Sequence, residues 1–122
     1  MTTILVVDDE PLIAMVLEAE LEDAGYGVVT AANGRQGLER LAEMPRPDLV
    51  LLDMMMPVMT GPEMLAAMAA DPDLCRTPVI VLSSLPEATI RERAKGVAAI
   101  LRKPYTAAEV LGAILRVLEE AK

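Results

Sequence analysis

Ile4-Leu5-Val6-Val7-Asp8-Asp9-Glu10 sets four apolar residues directly against three acids. A short apolar run without alternation marks a strand covered on both faces, because a half-exposed strand would show every second residue polar. The run is too short to cross a bilayer, and no basic residue stands before it, so it reads neither as a membrane span nor as a secretory leader. Four more runs of this kind follow at 28–30, 49–52, 79–82 and 98–101, and four of the five runs are rich in Val, Ile or Leu.

Longer segments of helical period separate the runs, at 12–24, 36–43, 62–70, 87–95 and 107–121. In the first, Ile13, Val16, Leu17, Leu21 and Ala24 recur at steps of three and four, Glu18 and Glu22 point to solvent, and Gly25 supplies a stop. In the last, Val110, Leu111, Ile114, Leu115 and Leu118 form the apolar stripe, and Thr106 and Glu109 have the spacing of a capping box. Pro11, Pro62 and Pro86 fall at or near helix starts, where a missing N–H is tolerated. Strand and helix alternating in this way predict βα units around a parallel sheet. Five units can hardly close an eight-stranded barrel, so the expected fold is α/β, an open doubly wound sheet forming one domain over residues 1–122.

The chain has 122 residues, 53% of them hydrophobic and 25% charged, which suffices for a packed core without metal or disulfide staples. Its net charge of -8 argues against a nonspecific grip on nucleic acid, which draws on clustered Lys and Arg. Cys75 is the only cysteine, so no intramolecular disulfide forms, and it reads as a small apolar or surface residue. With no leader and no span, the chain reads as soluble and cytoplasmic. Histidine is absent, which removes His-ligated zinc, the Ser-His-Asp triad and the Cys-His pair together.

In open parallel sheets ligands bind outside the carboxyl ends of the strands, near the point where strand order reverses. The residues just beyond the apolar runs are Asp8 and Asp9, Asp53, Ser83 and Ser84, and Lys103. Carboxylates gathered there repel one another and need a cation or a proton. Lys103 supplies one positive charge, and hard carboxylate oxygens without sulfur or imidazole suit Mg²⁺. Polar residues must end strands somewhere, so each taken alone has a bland explanation; three acids, a hydroxyl and a lysine together are harder to dismiss.

The residues Val6-Val7-Asp8-Asp9-Glu10, Leu51-Leu52-Asp53-Met54 with Pro57 and Gly61, Val81-Leu82-Ser83-Ser84, Gly96 and Lys103-Pro104 resemble the receiver domain of two-component response regulators over essentially the whole chain. The resemblance implies a flavodoxin-like (βα)5 three-layer sandwich with strand order 2-1-3-4-5. It implies that Asp53 accepts a phosphoryl group from a sensor histidine kinase or a histidine phosphotransfer protein. Asp8, Asp9, Asp53 and the backbone carbonyl of Met55 would hold Mg²⁺, and Ser83 and Lys103 would meet phosphoryl oxygens. It further implies a switch that catalyses its own phosphorylation and dephosphorylation, with no output domain in this chain. A downstream protein would engage the fourth helix, fifth strand and fifth helix, where Arg91, Arg93, Lys95 and Arg102 lie, and the third or fifth helix could support a homodimer.

Two positions depart from that pattern. Ile100 stands three residues before Lys103, where the family frequently carries an aromatic reporter, so this position has no ring to flip. Met55, two residues after Asp53, places an apolar side chain where an attacking water would be oriented, which predicts slow self-dephosphorylation. Met54, Met55, Met56 and Met59 raise a Cu(I) reading, but residues leaving a strand diverge and methionine commonly fills core gaps. The enzyme alternative is a small Mg-dependent phosphatase with an aspartate nucleophile, similar to the haloacid dehalogenases; Met55 stands where such an enzyme carries its second aspartate. A receiver-fold adapter that does not use phosphorylation is the third reading. A Walker-type ATPase lacks its Gly-rich loop here.

Overall fold

A computed structural model describes residues 1–43 and 45–120. The strands are β1 (Thr3–Val7), β2 (Gly27–Ala31), β3 (Leu49–Asp53), β4 (Val79–Ser83) and β5 (Ala99–Arg102), alternating with α1 (Pro11–Asp23), α2 (Gly34–Ala42), α3 (Gly61–Ala70), α4 (Glu87–Arg93) and α5 (Ala107–Glu120). All five pair in parallel in the order β2-β1-β3-β4-β5, the doubly wound arrangement expected. Residue 121 of the predicted fifth helix lies outside the described residues.

Besides one-residue differences at the ends of α1, α2 and α3, two helix boundaries shift by two residues for local reasons. α2 begins two residues early because Asn33 caps it, its side-chain oxygen accepting from Gln36 N at 2.9 Å ahead of the helix's own glycines. α4 ends at Arg93 and not at Lys95, because Ala94 leaves the helical region and Gly96 takes a positive φ of 80°. The predicted capping of α5 is present: Glu109 N donates to Thr106 Oγ1, and the Glu109 carboxylate accepts from Thr106 N, both at 3.1 Å.

Two apolar cores flank the sheet. On one face Ile4, Val6, Leu49, Leu51, Ile80 and Leu82 meet α1 and α5; on the other Leu5, Val7, Val50, Leu52 and Val81 meet α2, α3 and α4. The buried stripes pass through small residues that the expected stripes left out. α1 buries Ala14, Leu17 and Leu21 while Val16 and Ala24 are exposed, and α5 buries Val110, Ala113, Ile114 and Val117 while Leu115 is exposed. At 100° per residue, Val16 and Leu115 point away from stripes centred on these residues. Alanine lets a helix backbone approach the sheet closely, so the contact line follows Ala14 and Ala113.

Candidate functional site

Parallel strands deliver their carboxyl ends to one edge, and the alternation of side chains then decides which of the last residues face the opening. Asp8 follows β1, Asp53 and Ser83 are the last residues of β3 and β4, and Lys103 follows β5. Asp8, Asp53 and Ser83 are buried, at 4%, 6% and 2% exposure, although each carries a polar side chain. Lys103 is half-buried, whereas Asp9, Met55 and Ser84 are exposed.

Backbone bonds hold these residues in place. Asp8 N donates to Ala31 O at 3.0 Å, and Lys103 N donates to Ser83 O at 2.8 Å, so the residues after β1 and β5 stay tied to their neighbouring strands. Gly61 N donates to Met54 O at 3.1 Å, which folds the start of α3 back onto the end of β3. A Cβ at Gly61 would stand 2.8 Å from Asp53 O, so only glycine permits this approach. Between them, Val58 adopts a positive φ of 68°, and Met59 N donates to Pro57 O at 2.7 Å. The Lys103-Pro104 peptide is cis.

Lys103 Nζ lies 3.8 Å from Asp53 Oδ1, an oxygen that also accepts from Met55 N at a long 3.4 Å. The Asp53 carboxyl is raised to about 6, chiefly by burial and further by the Asp8 charge, against the pull of Lys103. Burial likewise raises Asp8, against the N–H of Glu10, which donates to Asp8 Oδ1 at 2.9 Å. Asp8 Oδ2 is buried without a hydrogen-bond partner among the described residues. An orphaned carboxylate oxygen is costly unless a cation meets it. Asp8, Asp9 and Glu10 bring carboxylate oxygens within 4.8 Å of one another, a hard oxygen set of the kind that suits Mg²⁺. These residues therefore fit the ion. Glu10 was not among the sequence candidates, although it sits next to Asp9; Asp53 lies outside that triplet.

A cavity of about 430 Å³ opens beside this edge, lined by Asp9, Met54, Met55, Met56, Leu85 and Arg93 among others. Met54 and Met56 are buried in the core and Met59 packs against it, which accounts for them as filling; Met55 is 60% exposed. Ser83 Oγ accepts from Leu85 N at 3.1 Å, linking the end of β4 to the connection before α4. Of the basic residues, Arg91 pairs with Glu87 at 2.8 Å, a bond within α4. Arg102 Nε instead donates to Leu85 O at 3.0 Å. Cys75 is exposed, and its thiol donates to Pro72 O. Among the described residues no helix is long and apolar enough to cross a membrane.

Residues 4–115 match the family model described as the response regulator receiver domain. The transcriptional regulatory protein KdpE of Mycobacterium tuberculosis is 37% identical over 113 residues, covering 91% of this chain and 48% of its own length. This chain thus spans about half the length of the curated relatives it matches first. The crystal structure of the signal receiver domain of a signal transduction histidine kinase from Syntrophus aciditrophicus superposes with a TM-score of 0.90 at 32% identity, covering 100% of this chain and 93% of that one. The receiver domain of the sensor histidine kinase PA1611 of Pseudomonas aeruginosa, solved with a magnesium ion coordinated in its active-site cleft, gives 0.87 at 32% identity and covers 97% of this chain and 98% of that one.

Proposed function

This chain belongs to the response regulator receiver family, and from that premise we propose that it is a phosphorylation switch of a two-component relay in which Asp53 is the phosphoacceptor. The observation that carries the reading is the pairing of a buried Asp53 with Lys103 at 3.8 Å, beside a buried Asp8 oxygen that has no hydrogen-bond partner among the described residues. Such an edge holds negative charge only with added cation, and phosphoryl transfer depends mainly on positioning and on neutralising charge on the equatorial oxygens.

In the proposed reaction an Asp53 oxygen attacks the phosphorus of a phosphohistidine on a sensor kinase or a phosphotransfer protein. The O–P bond forms as the P–N bond breaks, and the imidazole leaves with the bonding pair and takes a proton. Lys103 pairs with one phosphoryl oxygen as a compact charge, and the Ser83 hydroxyl donates to another. Asp8, Asp9, Asp53 and the Met55 carbonyl would hold Mg²⁺, which supplies charge neutralisation at the phosphoryl oxygens when bound. Hydrolysis of the acyl phosphate by water returns the switch to rest. The exposed Met55 provides no acid for turnover of phosphate esters, which leaves a dedicated phosphatase without support.

A phosphoryl group adds roughly two negative charges. One charged hydrogen bond contributes about 1.5 to 3 kcal/mol, while inverting a 1:99 population takes about 5.5 kcal/mol. Ser83 alone therefore shifts the population only in part, and binding of a cytoplasmic target protein across α4, β5 and α5 completes it.

Acetyl phosphate or beryllofluoride with Mg²⁺, followed by mass spectrometry and NMR, tests the assignment. The native chain gains one phosphoryl group and Asp53→Ala gains none. Labelling that persists in Asp53→Ala reassigns the acceptor.

A further inference from the structure

The peptide of Leu85 is held from both sides. Its N–H donates to Ser83 Oγ at 3.1 Å, and its carbonyl accepts from Arg102 Nε at 3.0 Å. Arg102 is the register partner of Ser83 on the neighbouring strand, so its guanidinium reaches from the end of β5 across the edge onto the connection before α4. β5 reads Ala99-Ile100-Leu101-Arg102, and Ile100 packs into the core; Arg102 is the one polar side chain that strand offers. Among the described residues no carboxylate stands within ion-pair distance of Arg102. The Leu85 side chain in turn lines the cavity shared with Asp9 and Met55. One peptide thus sets both the Ser83 hydroxyl and a wall of the cavity.

We propose that Arg102 is a positioning residue that clamps the Leu85 carbonyl and so holds Ser83 Oγ and the β4–α4 connection in the resting position. The clamp stands on the two hydrogen bonds alone; its effect on phosphoryl uptake rests on the acceptor role proposed for Asp53. A serine hydroxyl has one proton to donate and can accept at its lone pairs. Ser83 can donate to a phosphoryl oxygen and keep the Leu85 N–H only if that peptide follows it inward, and following means leaving Arg102. The cost of breaking the Arg102 bond therefore opposes switching, and removing the Arg102 side chain shifts the resting population toward the switched form.

The test compares the full chain with Arg102→Ala and Arg102→Lys. Relaxation dispersion is recorded at the amides of residues 84–87 without ligand, and beryllofluoride with Mg²⁺ is titrated by NMR. In Arg102→Ala, exchange at Leu85 increases and the apparent Kd for beryllofluoride falls about three- to tenfold, the range of one net hydrogen bond. Arg102→Lys keeps one donor and falls between the two. A general loss of stability with unchanged exchange at Leu85 overturns the proposal, as does an unchanged Kd in a chain that binds the mimic. If even the native chain fails to bind beryllofluoride, the acceptor role of Asp53 fails, and exchange at Leu85 still decides the clamp.

Discussion

Lys103 Nζ stands 3.8 Å from Asp53 Oδ1, a separation that joins the end of β3 to the residue after β5 across the intervening strand β4. The ammonium opposes the burial that pushes Asp53 up to about 6. Lys103→Ala should therefore raise the Asp53 pKa further and slow labelling by acetyl phosphate about 10- to 100-fold, the loss of one charged hydrogen bond. Carboxyl-selective NMR titration and a labelling time course check both halves; an unchanged rate removes Lys103 from the reaction.

Proton linkage at this edge has a defined sign. A carboxyl whose folded pKa is raised binds its proton more tightly when folded, so its contribution is complete below the ordinary value of 3.8 and is lost as pH rises toward about 6. Asp8 is raised by burial and acts in the same direction. Metal-free protein should lose about 2–3 kcal/mol of stability from Asp53 across that window, and Asp53→Asn should flatten this component. Mg²⁺ should raise Tm more at pH 7 than at pH 4.5, where protons already occupy the site. Equal Mg²⁺ shifts at the two pH values would contradict the assignment.

Met55 is exposed and lines the cavity with Asp9 and Leu85. With Asp53 as the proposed phosphoacceptor, replacing Met55 with asparagine puts a hydrogen-bonding group where the attacking water would approach. Decay of the phosphorylated chain should accelerate about tenfold, below the range of full acid–base catalysis because an amide orients water without taking its proton. A decay rate equal to the native one means that Met55 does not control access.

Gly61→Ala would place a Cβ 2.8 Å from Asp53 O and 2.9 Å from Met54 Cα, both backbone atoms that cannot yield like a flexible side chain. The substitution should cost about 1–3 kcal/mol in denaturant unfolding and shift the amide resonances of Asp53 and Met54. Native stability in this variant would show that the loop relaxes freely.

The strands and the helices that separate them were legible because each depends on neighbours close in the chain: uninterrupted apolar runs for strands, three- and four-residue steps for helices. The early start of α2 was less so, since Asn33 competes with two glycines and only the bond to Gln36 N shows which prevails. The stripes of α1 and α5 misled in a particular way. Large aliphatic residues such as Val16 and Leu115 outweigh alanine on any hydropathy reading, yet the buried faces take in Ala14 beside Leu17 and Leu21, and Ala113 beside Val110, Ile114 and Val117. Glu10 escaped notice as a metal-capable acid for a similar reason: adjacency in sequence does not say which oxygens converge.

From the order of residues alone came the α/β class, the parallel sheet, and the presence of Asp8, Asp53, Ser83 and Lys103 at strand ends, because a strand's end is a property of one short segment. Only the tertiary structure decided that Lys103 faces Asp53, that one oxygen of Asp8 has no partner among the described residues, and that Arg102 grips Leu85. Those relations join residues far apart in the chain, and strand register, twist and helix packing set them together.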